Sequence, residues 1–376
     1  MNNLNNELDG ITVVSLEQAV AAPYCGVLLA NSGARVIKVE RKEGDFARGY
    51  DDGADGQSTI FAWLNRGKES ICLNLKNKTD LSLLKKILKK SDVLLSNLSP
   101  GALDRMNLSK PFLEEINPRL INCKISGYGE KGEAATKKAY DFLVQAESGL
   151  CSVNGSENSP SRVGVSITDI STGLTAFSAI LRALIKRSKT NQGSEICISM
   201  FDVMADWMNM PLLAYRYTNQ TPKPMGLKHS FIAPYGAYEC GDGKKILLSI
   251  QSNREFEDFC EKVLSKPDLS NNEKFITNPE RFKNRIELDN IITDFFKNYD
   301  SLEVIKLLAS ANIAYANLNS VADLSKHSFL KNSNAIIGKK IISMASLPVQ
   351  TNLNDKLNVP DLGEHSEKIR KEFTLS

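Results

Sequence analysis

Asp169 stands in the run GVSITDISTG (Gly164–Gly173), where a short apolar stretch meets a helical pattern that reads as starting at Ser171. Free N–H groups at a helix start favour the ionised carboxylate. Two chemistries fit such a residue. It can attack an activated carbonyl and hold the acyl group covalently, or it can merely cap the helix; the local pattern alone favours the cap. A second motif, Gly127-Tyr128-Gly129-Glu130-Lys131-Gly132, spells GxGxxG after a strand-like run. It follows the fifth such run rather than the first, charged residues come after it, and no acidic residue closes a strand about 20 positions on, as a dinucleotide site needs. It reads as a turn. The seven cysteines (Cys25, Cys72, Cys123, Cys151, Cys197, Cys240, Cys260) form no CxxC pair and sit mostly in apolar runs. They read as reduced core thiols, so neither a disulfide frame nor a zinc site is expected.

The elements that must hold these residues follow from periodicity. Apolar runs at Ile11–Leu16, Arg35–Glu40, Ser70–Leu75, Asp92–Ser96, Leu120–Ser126 and Glu195–Ser199 read as strands. Helical spacing lies between them, at Tyr24–Asn31, Thr79–Lys90, from Tyr140, at Ser171–Arg187 and at Phe201–Tyr217. Strands alternating with helices predict an α/β fold with a parallel sheet covered on both faces. Residues 1–217 form this large Rossmann-like domain, and 218–230, with two prolines and no periodicity, read as a linker. Residues 231–330 read as a smaller α+β domain, and 331–376 as a return to the large one, with a strand at Ala335–Ile342 and a helical tail near Glu364–Phe373.

Bulk properties exclude several classes. The chain has 376 residues, 42% hydrophobic and 24% charged, with 47 basic against 44 acidic side chains and a formal charge of +3. That near-balance makes no case for nucleic acid or an acidic membrane surface. The opening MNNLNNELDG is no signal peptide, and no window approaches the ~20 apolar residues of a membrane span. A cytoplasmic enzyme is the expectation.

Several segments together resemble the class III CoA-transferase family, which also holds formyl-CoA transferases, carnitine CoA-transferases and α-methylacyl-CoA racemase-like enzymes. They are LDGITVVSL with AAPYCGVLLANSGARVIKVER (Leu8–Leu16, Ala21–Arg41), GDFARGYD (Gly44–Asp51), LNRGKESICLNLK (Leu64–Lys76), DVLLSNLSPGALDRM (Asp92–Met106) and EINPRLI (Glu115–Ile121). The match continues through KAYDFLVQAESGL (Lys138–Leu150), TDISTG (Thr168–Gly173), KTNQGSEICISMFD (Lys189–Asp202) and LGEHSEKI (Leu362–Ile369). Their collinearity along the whole chain carries the resemblance.

That resemblance implies a large domain built from both chain ends, a small domain, and two chains threaded as linked rings in a homodimer. It implies Asp169 as the nucleophile, with no metal and no cofactor beyond CoA itself as co-substrate. Arg41, Lys76, Arg105 and Lys138 are implied at the CoA phosphates and ribose, and Leu73, Asn97 and Leu98 around the adenine. The family often shows ENFRPG where this chain has Ser96–Gly101 (SNLSPG), which removes one acidic and one basic residue from that turn. Racemase members carry a His before the Asp of a GHD-like motif; here that stretch is Ala139-Tyr140-Asp141, which favours transfer and makes Tyr140 a candidate to hydrogen-bond acyl oxygens. GDFARGYD is similar to the segment in members acting on C4–C5 dicarboxylates such as succinate, mesaconate, itaconate and citramalate. Arg48 would then meet a second substrate carboxylate, with Tyr50 beside it; alternatively Arg48 is structural or pairs with Asp51. The glycine-rich loop of formyl-CoA transferases has no counterpart in residues 226–243, so an oxalate–formate pair is not expected. The implied donor is succinyl-CoA.

Overall fold

Six strands, β1 (Thr12–Leu16), β2 (Arg35–Glu40), β3 (Glu69–Cys72), β4 (Val93–Ser96), β5 (Ile121–Ser126) and β6 (Ser194–Ser199), form one parallel sheet in the order β3-β2-β1-β4-β5-β6. The computed structural model describes residues 6–349 and 357–374. The central strands are near-continuous Val, Ile and Leu runs because helices cover both faces. On one face, helix α1 (Ala21–Asn31) lies against the long helix α5 (Ile167–Thr190). Gly173 permits that approach, since a Cβ there would stand 2.5 Å from the Ala21 carbonyl oxygen. On the other face, α3 (Lys78–Lys89) buries Leu83, Leu84, Ile87 and Leu88, and the helix Ser366–Thr374 packs beside it. Between β2 and β3 lies α2 (Thr59–Asn65), capped by Ser58 Oγ, which accepts the Phe61 N–H at 3.0 Å. The remaining helices of this part used below are α4 (Asp141–Glu147) and α6 (Met200–Trp207).

The C-terminal segment closes the sheet's free edge. Ser70 N donates to His365 Nδ1 (3.3 Å) and Cys72 N to Ser366 Oγ (3.1 Å), so side chains take up backbone N–H groups of β3 that no strand pairs, while Gly363 N donates to Ser70 Oγ (3.0 Å). The chain separates into two units: residues 1–150, 162–212 and 331–376, and residues 151–161 with 213–330. The second unit has a three-stranded antiparallel sheet (Ala314–Asn317, Lys245–Ser249, Tyr235–Glu239) over a core that includes Phe256, Phe259, Ile292 and Phe296.

Several boundaries differ from the periodicity reading. Residues 151–161 belong to the second unit, not to a continuous 1–217 domain, because Gly226 N donates to Gly155 O (2.6 Å) and Lys223 pairs with Glu157 (2.9 Å). The expected helix 201–217 is two, α6 and Asn209–Thr218; Pro211, without an N–H, sits in the first turn of the second. The strand expected at 335–342 is a hairpin, Asn332–Ile337 with Lys340–Ala345, turned at Gly338 with φ +55°. Among the described residues no helix is long and apolar enough to cross a membrane.

Candidate active site

The strand order reverses between β1 and β4, and in such sheets ligands sit outside the carboxyl ends of the strands at that reversal. Here the loops after β1 and β4 are stitched together: Asn97 Oδ1 accepts Gln18 N (2.9 Å) and its Nδ2 donates to Gln18 O (2.8 Å). The next residue, Ala19, has φ +62°, an uncommon conformation for a residue with a Cβ. Asn97 and half-buried Leu98 thus lie at the switch point of the sheet, opposite the Glu17–Ala19 loop. Arg41, Lys76 and Arg105 are exposed and follow β2, β3 and β4; Lys138 is exposed just before α4. Arg105 folds onto its own turn, donating to Pro100 O (3.2 Å) and Ser99 Oγ (3.1 Å). Leu73 is a correction. It is 2% exposed and packs with Ile37, Ile71 and Leu84, so it is core and not an adenine wall.

Beneath these loops is a fully buried charge network. Lys38 Nζ reaches Asp45 Oδ2 (2.8 Å) and Glu17 Oε1 (3.2 Å), and Lys68 Nζ also donates to Glu17. Ser15 Oγ donates to the other Glu17 oxygen at 2.6 Å. Burial opposes ionisation of Glu17, yet the Lys68 and Lys38 ammoniums hold its carboxyl down at about 2. Asp45 Oδ1 accepts the N–H groups of Ala19 (3.1 Å) and Ala47 (3.0 Å). One carboxylate therefore fixes both the loop after β1 and the 3₁₀ turn Phe46–Gly49. That turn carries Arg48 and Tyr50.

Arg48 is committed elsewhere. Its Nε and Nη2 grip the two oxygens of Glu40 at 2.9 and 2.8 Å, both Nη atoms donate to Pro360 O at 3.2 Å, and the guanidinium lies 4.0 Å from the Phe61 ring centroid. A fork already filled by one carboxylate is not available for a substrate's, so the expectation for Arg48 is corrected to a structural role. Its partner is Glu40, not Asp51, whose carboxylate instead caps α2 through Thr59 N (2.9 Å) and Ser58 Oγ (2.8 Å). A different arginine is only partly matched. Arg66, 2% exposed, gives Nη1 to the Trp63 carbonyl, while Nη2 is buried with no partner among the described residues. Burial pushes it down to about 10, with Tyr24 the one group opposing that shift. The sequence signal was present, because Arg66 lies inside LNRGKES, but nothing local said that its charge would be buried and unmatched.

Asp169 lies in the first turn of α5, which begins at Ile167 and not at Ser171. The N-cap is Ser166, so the capping explanation for Asp169 is overturned. Asp141, at the start of α4, takes the Thr168 N–H with Oδ1 at 2.8 Å, extending the helix one turn earlier than periodicity suggests. Asp169 is half-buried. Among the described residues no cation and no hydrogen bond supports its carboxylate; burial first and the Asp141 charge second push it up to about 7. Tyr50 stands near it and near Tyr140, the two phenols 44% and 61% exposed. Partial burial together with the charges of Asp45, Asp169 and Tyr140 pushes the Tyr50 phenol up to about 12, so it remains a donor at neutral pH. Tyr50 is thus near both Asp169 and Tyr140, and Asp169 is near Asp141. Such an arrangement offers a basic carboxylate nucleophile flanked by phenol donors.

A sequence model of CoA-transferase family III matches residues 8–366. The acetyl-CoA:oxalate CoA-transferase of Acetobacter aceti is 31% identical over 372 residues, covering 97% of this chain and 95% of that protein. The human succinyl-CoA:glutarate CoA-transferase is 30% identical over 383 residues, covering 99% and 87% respectively. Among solved structures, a CAIB/BAIF family protein from Brucella suis superposes with a TM-score of 0.82 at 30% identity, over 98% of this chain and 100% of that one. The chain belongs to CoA-transferase family III.

Proposed function

We propose that this protein moves CoA from an acyl-CoA thioester, succinyl-CoA, to a C4–C5 dicarboxylic acid, with Asp169 holding first the acyl group and then CoA. The observation that carries the reading is a half-buried carboxylate without a counter-ion, held up at about 7 in the first turn of α5. Such a carboxylate is basic for its type and already free of the ion pair that would have to break before it attacks. Attack on the thioester carbonyl forms a mixed anhydride and releases CoA thiolate. The thiolate then attacks the aspartyl carbonyl, giving an aspartyl-CoA thioester and the freed donor acid. The acceptor carboxylate attacks that thioester to form a second anhydride and again release thiolate. Thiolate attack on the acceptor's acyl carbonyl yields the new acyl-CoA and regenerates Asp169. Tyr50 and Tyr140 supply donors to the oxygens that become negative in these steps. A phenol is a poor base at neutral pH, and Tyr140 occupies the position where a racemase needs histidine.

The second carboxylate of the substrate is assigned to Arg66 in place of Arg48. Its guanidinium is buried with one nitrogen unmatched. It neighbours Tyr24 and Trp63, whose rings are 5.7 Å apart, and Tyr24 packs at Gly173, one turn along α5 from Asp169. The human relative's name pairs succinyl-CoA with glutarate and the Acetobacter one acetyl-CoA with oxalate, both dicarboxylate acceptors. CoA itself is assigned to Asn97, Leu98, Arg41, Lys76, Arg105 and Lys138. The active form is assigned as an interlocked homodimer in the cytoplasm, which light scattering and fractionation test.

Incubation with succinyl-CoA alone, followed by peptide mass spectrometry, should place CoA or a succinyl group on Asp169, and hydroxylamine should remove it. Absence of any adduct, with Asp169→Ala turning over like wild type, sinks the reading. A panel of glutarate, mesaconate, itaconate, citramalate and oxalate against carnitine and phenyllactate identifies the acceptor. Preference for the monocarboxylates would overturn the dicarboxylate assignment.

A further inference from the structure

The nucleophile's helix is capped from outside. Ser166, the N-cap of α5, makes no side-chain bond to the first turn; that task falls to Asp141, 27 residues earlier, through Thr168 N–H at 2.8 Å. Asp141 is itself pinned. Its Oδ2 accepts Gln145 Nε2 at 2.7 Å, and the Arg162 guanidinium stands 3.7 Å away. Gln145 in turn accepts the Val163 N–H at 2.9 Å. Asp141 and Gln145, one turn apart on α4, therefore hold both ends of the segment from Arg162 to Thr168 that leads into Asp169.

We infer that Asp141 is a positioning residue for the Asp169 carboxylate: it fixes the first turn of α5 from α4 and sets a negative charge beside the nucleophile in place of a cation. The inference rests on Asp169 being the nucleophile. A single N–H at the helix start is diverted to Asp141 instead of stabilising the neighbouring carboxylate. Burial first and the Asp141 charge second keep Asp169 basic, which strengthens its attack on a thioester and distinguishes it from the paired carboxylates of the same unit.

Other groups around α5 do not supply this field. α1 offers Tyr24 and Cys25, β5 Cys123, α6 Asp202 and the 46–50 turn Tyr50, whereas β6 turns Ile196 and Ile198 toward α5. Arg162, exposed in the loop before α5, is drawn to Asp141 and not to Asp169. Burial raises Asp169 most, and Asp141 is the charge that adds to it.

The test compares Asp141→Asn, which keeps an acceptor oxygen for Thr168 N–H but removes the charge, with Asp141→Ala, which removes both. In Asp141→Asn the acid limb of kcat/KM should move about one pH unit lower, with the plateau kcat within about tenfold of wild type. Asp141→Ala should show the same shift and lose about a hundredfold or more in plateau kcat. An acid limb that stays in place in Asp141→Asn overturns the inference, as does an Asp141→Ala enzyme as active as Asp141→Asn. If Asp141→Ala does not fold, Asp141→Asn still decides the electrostatic part. A direct titration separates this inference from the transferase reading. The Asp169 carboxyl ¹³C resonance, identified by its loss in Asp169→Asn, should titrate lower in Asp141→Asn whether or not the protein shows turnover. No acyl adduct on wild-type Asp169 would sink the transferase reading alone; an unmoved resonance would sink the role of Asp141 alone.

Discussion

Two buried charge clusters in the large unit were built on opposite terms. In the Glu17–Lys38–Asp45–Lys68 network every side chain is shielded from solvent, each carboxylate meets an ammonium, and the remaining oxygens take Ser15 Oγ or backbone N–H groups. Asp169 and Arg66 follow the reverse pattern: the carboxylate has no counter-ion and lies near the Asp141 carboxylate, and the guanidinium, beside Tyr24, is buried with one nitrogen unmatched. Matched buried charge holds loops in place. Unmatched buried charge is costly in the free protein and is relieved by a reacting or bound partner, which is why the second cluster reads as the site and the first as its foundation.

Breaking that contrast should give separable effects. The largest is in turnover: Asp169→Ala should lower kcat by about 10⁴-fold or more without lowering the thermal midpoint, because the carboxylate it removes has no partner to orphan. A fall in the midpoint together with kept turnover would reverse the assignment of the two clusters. Next comes Lys38→Met in the matched network. Removing one partner of a buried pair costs about 3–5 kcal/mol, to be read by urea unfolding. A smaller loss would mean that Lys68 alone satisfies Glu17 and Asp45.

The pH dependence of stability should run in opposite directions for the two clusters. Asp169 has a raised folded value, about 7 against 3.8, so its contribution is complete below pH 3.8 and is lost as pH rises through 7. Allowing for its partial exposure, that loss is on the order of 3 kcal/mol. Glu17 has a depressed value, about 2 against 4.5, so its contribution is complete above pH 4.5 and is lost as pH falls through 2. Urea titrations across this range should show the neutral-side decline vanish in Asp169→Asn; an unchanged slope would place Asp169 in a wetter setting than its geometry indicates. The smallest effect separates the two arginines. Arg66→Lys should raise KM for a dicarboxylate by about thirtyfold, the equivalent of ~2 kcal/mol for a lost charged hydrogen bond, and leave a monocarboxylate's KM alone. Arg48→Lys should act on stability and barely on the selectivity ratio.

The candidate site was legible in unequal parts. Asn97, the cations after β2, β3 and β4, and Asp169 sit at strand or helix ends that the apolar runs and ordered motifs already marked. Arg48 and Leu73 were misjudged because sequence reports that a residue lies near a strand end, not which way its side chain turns or who meets it. Glu40, at the end of β2 and eight residues before Arg48, takes its fork, and the packing of α3 draws Leu73 inward.

By itself, then, the chain's pattern determined the alternation of strands and helices, the parallel sheet, the motifs and the candidate nucleophile, all of which depend on local periodicity and ordered residue types. Tertiary structure alone decided which charges are matched. The Asp45 of the Lys38–Asp45 ion pair and the bare carboxylate Asp169 look alike in a sequence, since each reads as a single acidic residue in a short stretch between strand and helix. Their difference is created by what burial removes and by which side chains, from 27 or more residues away in the case of Asp141 and Thr168, are folded against them.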